Sequence, residues 1–110
     1  MMKVLILGGT RYLGKAVVNQ VKKISGFEIA TLSRSDEKKD IEHFGCDRKD
    51  SSELKKVLKY FSPNIILDMV NFDRRDSRDI SDLYDKGYLS GLCHYIMISS
   101  FFVYNHFDYE

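Results

Sequence analysis

Residues 5–18 read LILGGTRYLGKAVV, and the fold turns on how this stretch is read. Lys3 to Leu7 is a short, nearly all-apolar run that stops at Gly8 and Gly9. A strand buried on both faces has this pattern, which points to a parallel sheet covered on each side. From Tyr12 the period changes. Leu13, Val17, Val21 and Ile24 recur at three- and four-residue steps, so an amphipathic helix follows, ended by Ser25 and Gly26. A chain that passes from strand to helix this quickly needs positive φ or crowded backbone, and glycine permits both. The turn also aims the helix's first unpaired N–H groups outward, which suits a diphosphate. Gly8, Gly9 and Gly14 thus read as a phosphate-binding turn, with Gly8 making the bend and Gly14 letting the helix pack on the sheet. The alternative is a tight turn that binds nothing.

Working outward, Glu28 to Leu32 forms a second strand, and the polar SRSDEKKD (residues 33–40) a loop. Ile41 to Cys46 is a weaker third strand. Asp50, with Glu53 three residues on, forms a capping box ahead of a helix whose face carries Leu54, Val57, Leu58 and Phe61. Ser62 and Pro63 stop it. Ile65 to Val70 is a fourth strand, and Ile80, Leu83, Tyr84, Gly87 and Tyr88 give another helical stripe. Tyr95 to Ile98 is a last strand, ended by Ser99 and Ser100. Strands alternating with helices imply βαβ units. Right-handed crossovers then favour a doubly wound α/β sheet of five strands in the order 3-2-1-4-5. Its ligand crevice should open at the carboxyl ends of the strands, beside Gly8, Ser33, Asp47, Val70 and Ser99.

The 110 residues suit one domain. Seventeen basic residues face sixteen acidic ones, for a formal charge of +1. That balance offers no electrostatic case for nucleic acid or membrane. Cys46 and Cys93 lie far apart and have no metal-ligand spacing, so they read as reduced packing residues and no metal is expected. No signal core or membrane-length apolar run is present. A cytoplasmic protein is the expectation.

The VLILGGTRYLG segment resembles the amino-terminal fingerprint of the extended short-chain dehydrogenase/reductase superfamily, and in particular the NAD-dependent epimerase/dehydratase family. Gly8 and Gly14 match the first and third glycines of that family's G-x-x-G-x-x-G pattern; Arg11 replaces the middle one, as in a subset with a similar GGTR opening. The resemblance implies a Rossmann-type, NAD(P)-binding domain over residues 1–110. Its cofactor contacts would include Gly8, Gly9, Thr10, Arg11, Tyr12, Leu13 and Gly14 at the turn. Arg11 would place a guanidinium near the adenosine phosphate; a solvated first-turn arginine is the other reading. Asp47 and Arg48, in GCDRKD, match the segment whose aspartate bonds the adenine amino group, although an aspartate there can equally form a turn. Met69, Val70 and Asn71 would lie under the ribose and nicotinamide side. Ser99 and Ser100 in YIMISSFFVY match the fifth-strand signature. Ser100 takes the place of the catalytic Ser/Thr that orients the substrate oxygen, where a strand-end cap is the plain alternative.

The resemblance also exposes differences. The family's catalytic Tyr-x-x-x-Lys pair is missing: none of the seven tyrosines has a lysine four residues on. A phenol with an ordinary pKa near 10 needs such a partner to exchange a proton at neutral pH. The expectation is therefore the cofactor-binding half of an epimerase, dehydratase or reductase acting on a nucleotide sugar, truncated after the fifth strand and inactive by itself. A stand-alone, non-catalytic dinucleotide- or RNA-binding module is the alternative. The second strand ends in Leu32, Ser33 and Arg34, where an NAD site usually carries an acidic residue. Ser33 and Arg34 thus favour NADP, while Asp36 and Asp40 keep NAD open. A homo-oligomer formed through an exposed fifth-strand edge is also expected.

Overall fold

The computed structural model describes residues 1–8, 12–34, 41–69 and 74–97, the side chains of Tyr12, Leu13 and Arg74 excepted. The elements alternate as β1 (Met2–Leu7), α1 (Tyr12–Val21), β2 (Phe27–Ser33), β3 (Glu42–Gly45), α2 (Ser51–Phe61), β4 (Ile65–Asp68), α3 (Arg74–Asp85) and β5 (His94–Met97). All pair in parallel, in the order β3-β2-β1-β4-β5. This is the doubly wound order that the alternation of elements implied.

β1 sits at the centre, and its residues divide by the strand's two-residue period. Leu5 and Leu7 join Ala30, Leu32 and Ile66 against Leu54, Leu58 and Phe61 of α2 and Ile80 of α3. Val4 and Ile6 join Val18 of α1 on the opposite face. Each fully buried Leu, Ile or Phe here contributes about 1.5–3 kcal/mol, so the two layers hold the sheet from both sides.

The expected capping box of α2 is half made, since the Asp50 N–H donates to Asp47 O and not to the Glu53 side chain. The Asp50 carboxylate accepts the Glu53 N–H at 3.2 Å. At the other end Ser62 adopts a left-handed conformation (φ 52°), its N–H donating to Leu58 O, and Pro63 follows. Strand bounds shift by one to two residues from those expected. Helix α1 ends at Val21 rather than Ile24, which the tight turn over Lys22 to Ile24 leaves exposed.

α3 departs further. It begins at Arg74, six positions before Ile80, the first residue of its apolar stripe. Its first turns are charged and have no apolar period to detect. Tyr84 is exposed, because α3 borders the edge strand β5 and no further described layer covers it. Gly87, at φ +85°, lies beyond the helix. Tyr88 lies further on, its ring under the Lys55 and Lys59 ammonium groups at 4.3 and 5.1 Å.

The two cysteines also separate. Cys46 is buried in the α2-side core, and its thiol is pushed up to about 11 by burial and then by the carboxylates of Glu53, Asp50 and Asp47. Cys93 is exposed just ahead of β5, so it is a surface thiol and not the packing residue expected. A thiol-titrating disulfide reagent at mildly alkaline pH should therefore modify Cys93 alone in the folded protein, and Cys46 only after unfolding. Mass mapping of the modified peptides checks this; rapid labelling of Cys46 in the native state would contradict its burial.

Candidate functional site

The register places Leu7 level with Leu32 and with Asp68, and Ser33 level with Gly45. Three backbone bonds extend the ladders by one residue. The Gly8 N–H donates to Leu32 O at 2.8 Å, Met69 N–H to Leu7 O at 3.0 Å, and Cys46 N–H to Ser33 O at 2.8 Å. The carboxyl ends of β1 to β4 thus form one rim. β1 lies where the winding reverses, with β2 on one side and β4 on the other. Gly8 has φ +86° at this point, a conformation that only glycine adopts without strain. Helix α1 starts at Tyr12, so its N-terminus stands at the same rim, and Gly14 is buried in its first turn. A strand end, a glycine bend and a helix start thus stand together at the switch point, the arrangement in which helix N-termini take anions.

Several expected contacts share this rim. Ser33 ends β2, half-buried, with its Oγ 3.3 Å from His43 Nε2, and His43 Nδ1 lies 2.6 Å from Thr31 Oγ1. His43 was not among the residues singled out in the sequence, because a lone histidine on a short strand carries no motif. Arg34 follows and is exposed. Met69 packs into the α1-side core just past β4. Asp47 is exposed and forms a turn: its Oδ1 accepts the Lys49 N–H at 2.9 Å and its carbonyl the Asp50 N–H at 2.9 Å. Gly9, Thr10, Arg11, Val70, Asn71, Ser99 and Ser100 lie outside the described residues, as do Asp36, Asp40 and the side chains of Tyr12 and Leu13.

Arg48, the other rim candidate, is directed into the fold. It is 6% exposed, and its Nη1 donates to Asp68 Oδ1 at 2.5 Å while Nη2 donates to Asp76 O at 2.9 Å. The Tyr95 hydroxyl donates to Asp68 Oδ2 at 2.5 Å. Asp76 Oδ1 lies 3.5 Å from Arg48 Nε and accepts from Lys49 Nζ at 2.7 Å. Asp68 and Asp76 are both fully buried. Burial works against the Arg48 charge, but the hydrogen bond and charge of Asp68, with the charge of Asp76, outweigh it and raise its pKa above the ordinary value. One sequence signal pointed here: Asp68 is an acid in a strand whose two faces are both covered.

A groove of about 430 Å³ between α3 and the start of β5 is lined by Ile80, Tyr84, Leu92 and Cys93. It lies toward the amino ends of the strands, away from the rim. Among the described residues no cluster of three His, Cys, Asp or Glu side chains could hold a metal ion, and no helix is long and apolar enough to cross a membrane.

The model of the NAD dependent epimerase/dehydratase family matches residues 4–92. The chain belongs to this family. No curated protein sequence matches this family member. Its fold is that of the Bordetella bronchiseptica enzyme WbmG, solved in complex with NAD, at TM-score 0.69 and 15% identity over 87% of this chain and 36% of that one. The UDP-Glc/GlcNAc 4-epimerase of Campylobacter jejuni aligns at TM-score 0.66 and 17% identity, over 88% of this chain and 36% of that one. The UDP-glucose 4-epimerase of Thermus thermophilus, in complex with NAD, aligns at TM-score 0.55 and 23% identity, over 64% of this chain and 24% of that one. This family member thus spans about a third or less of these relatives' length.

Arg48→Met would leave Asp68 and Asp76 buried without their shared cation. Removing one partner of a buried pair costs about 3–5 kcal/mol, and a loss of that size should appear in urea unfolding of the variant. A change below about 1 kcal/mol would mean that the pair is solvated in solution, since exposed pairs contribute no more than that.

Proposed function

We propose that the chain binds a nicotinamide dinucleotide along the strand-end rim, as the cofactor half of an epimerase, dehydratase or reductase acting on a nucleotide sugar. The observation that carries this reading is the bend at Gly8, at the switch point, with the N-terminus of α1 beside it. The diphosphate would lie on the N–H groups between Gly8 and Gly14. The adenine would lie beside Asp47, whose Oδ2 accepts no hydrogen bond among the described residues. The ribose nearest the adenine would meet Ser33 and Arg34. When bound, the nicotinamide supplies a hydride acceptor. Ser100 would orient the substrate oxygen. With no Tyr-x-x-x-Lys pair, the 110 residues alone would bind cofactor without turnover. The two free cysteines support a reducing, cytoplasmic setting.

Titration calorimetry with NAD and NADP tests the reading on the wild type and on Gly8→Val. A branched side chain at φ +86° strains the turn and intrudes where phosphate must approach, so the variant should lose at least tenfold in affinity. Equal affinity in both proteins would overturn the diphosphate assignment.

We read the choice between the two cofactors from Arg34, which supports NADP, whereas the relatives' solved complexes hold NAD. An arginine on the 2′-phosphate makes charge-assisted hydrogen bonds of about 1.5–3 kcal/mol. Arg34→Ala should accordingly weaken NADP roughly 10- to 150-fold more than NAD. If competition binding shows equal weakening, Arg34 does not read that phosphate.

A further inference from the structure

We propose that Arg48 is a positioning residue that acts through its neighbour Asp47, holding the adenine-side turn against the end of β4 and the first turn of α3. The inference rests on the dinucleotide reading above and adds the device that sets one of its contacts. Asp47 and Arg48 are consecutive and face opposite ways: Asp47 is exposed at the rim, and Arg48 is 6% exposed.

The turn over Asp47 to Asp50 has little apolar anchorage of its own. Its internal bonds, Asp47 Oδ1 to the Lys49 N–H and Asp47 O to the Asp50 N–H, fix its shape but not its place on the sheet. Its entry is pinned by buried Cys46, whose N–H donates to Ser33 O, and beyond that residue place comes from the charged side chains beneath it. Arg48 reaches Asp68, the last residue of β4, and the Asp76 carbonyl in α3. Lys49 reaches the Asp76 carboxylate, and Arg75 Nη2 donates to Lys49 O at 3.4 Å. Tyr95 of β5 closes the second oxygen of Asp68. A planar guanidinium held at two separate acceptors leaves the residue little freedom to rotate. The Asp47 carboxylate, one residue away, inherits that restriction. Its position is thus tied to β4, whose continuation would lie under the other half of the cofactor.

Arg48→Met alone confounds positioning with loss of stability, since it removes the guanidinium that Asp68 and Asp76 share in the interior. The decisive variant is therefore the triple Arg48→Met, Asp68→Leu, Tyr95→Phe. It replaces the buried polar group with side chains of similar volume, a change that folds often tolerate or gain from. Asp76 keeps its Lys49 partner. The probe is ADP, which carries the adenine, its ribose and the diphosphate without the nicotinamide half.

The triple variant should melt cooperatively near the wild-type temperature yet bind ADP at least fivefold more weakly. In an Asp47→Ala background the same three changes should weaken ADP no further, within twofold, because the group they position is gone. A purely structural network would lower affinity equally in both backgrounds, and that result, or wild-type affinity in the folded triple variant, would overturn the proposal. If the wild type itself fails to bind ADP or NAD, the cofactor reading falls, and positioning is then read without ligand. Amide exchange at Lys49 and Asp50 should accelerate at least tenfold in the triple variant, while Leu54 and Leu58 of α2 keep their protection. Unchanged exchange at Lys49 and Asp50 would overturn the positioning role as well.

Discussion

Strand β1 has a parallel neighbour on each edge and an apolar layer on each face, and every other element is arranged around that confinement. A strand so enclosed has no wet side, so Val4 to Leu7 must all be apolar. It also has no room to continue once the covering layers end. The chain leaves through Gly8, whose positive φ reverses its course without a side chain to accommodate. Helix α1 then returns over one face, and the reach of the crossovers sends α2 and α3 over the other. The candidate rim is a consequence: it is where the enclosed strands end, side by side, with a helix N-terminus among them.

The same confinement explains the buried charges. β4 also lies inside the sheet, and Asp68 is its last residue on the α2 and α3 side. An ionised carboxylate there is tolerable only with both oxygens engaged. Arg48 and Tyr95 supply those contacts, and they draw in the β3–α2 turn and β5 in doing so. The first turn of α3, too polar to pack by apolar contact, is held through Asp76 by Arg48 and Lys49. A parallel sheet has no hairpins to tie its connections to their neighbours. Here a single guanidinium links the β3–α2 turn, the end of β4 and the start of α3.

Much of the architecture was legible because its signals are local. The apolar run before Gly8, the four-residue period after Tyr12 and the Asp50 cap each declare themselves within a few positions. Alternation and crossover handedness then leave few possible strand orders. The candidate site was marked by the glycine turn and the segments around Ser33 and Asp47, and the structure brings Gly8, Ser33 and Asp47 to one rim. Three features escaped for a common reason. The charged start of α3 has no apolar period, Tyr84 fits the stripe yet faces an open edge, and Arg48 reads as a cofactor contact beside Asp47. Each depends on what lies opposite in space.

The sequence by itself determined the strand-and-helix alternation, the bend at Gly8 and membership of a parallel, doubly covered sheet, because periodicity and backbone freedom are properties of neighbouring residues. Tertiary structure alone decided which charges are interior. Arg48, Asp68, Asp76 and Tyr95 lie on four different segments, up to 47 positions apart by their numbers. Whether a guanidinium sits in water or between two acids depends on the desolvation and Coulomb energies of groups that meet only after the sheet has assembled.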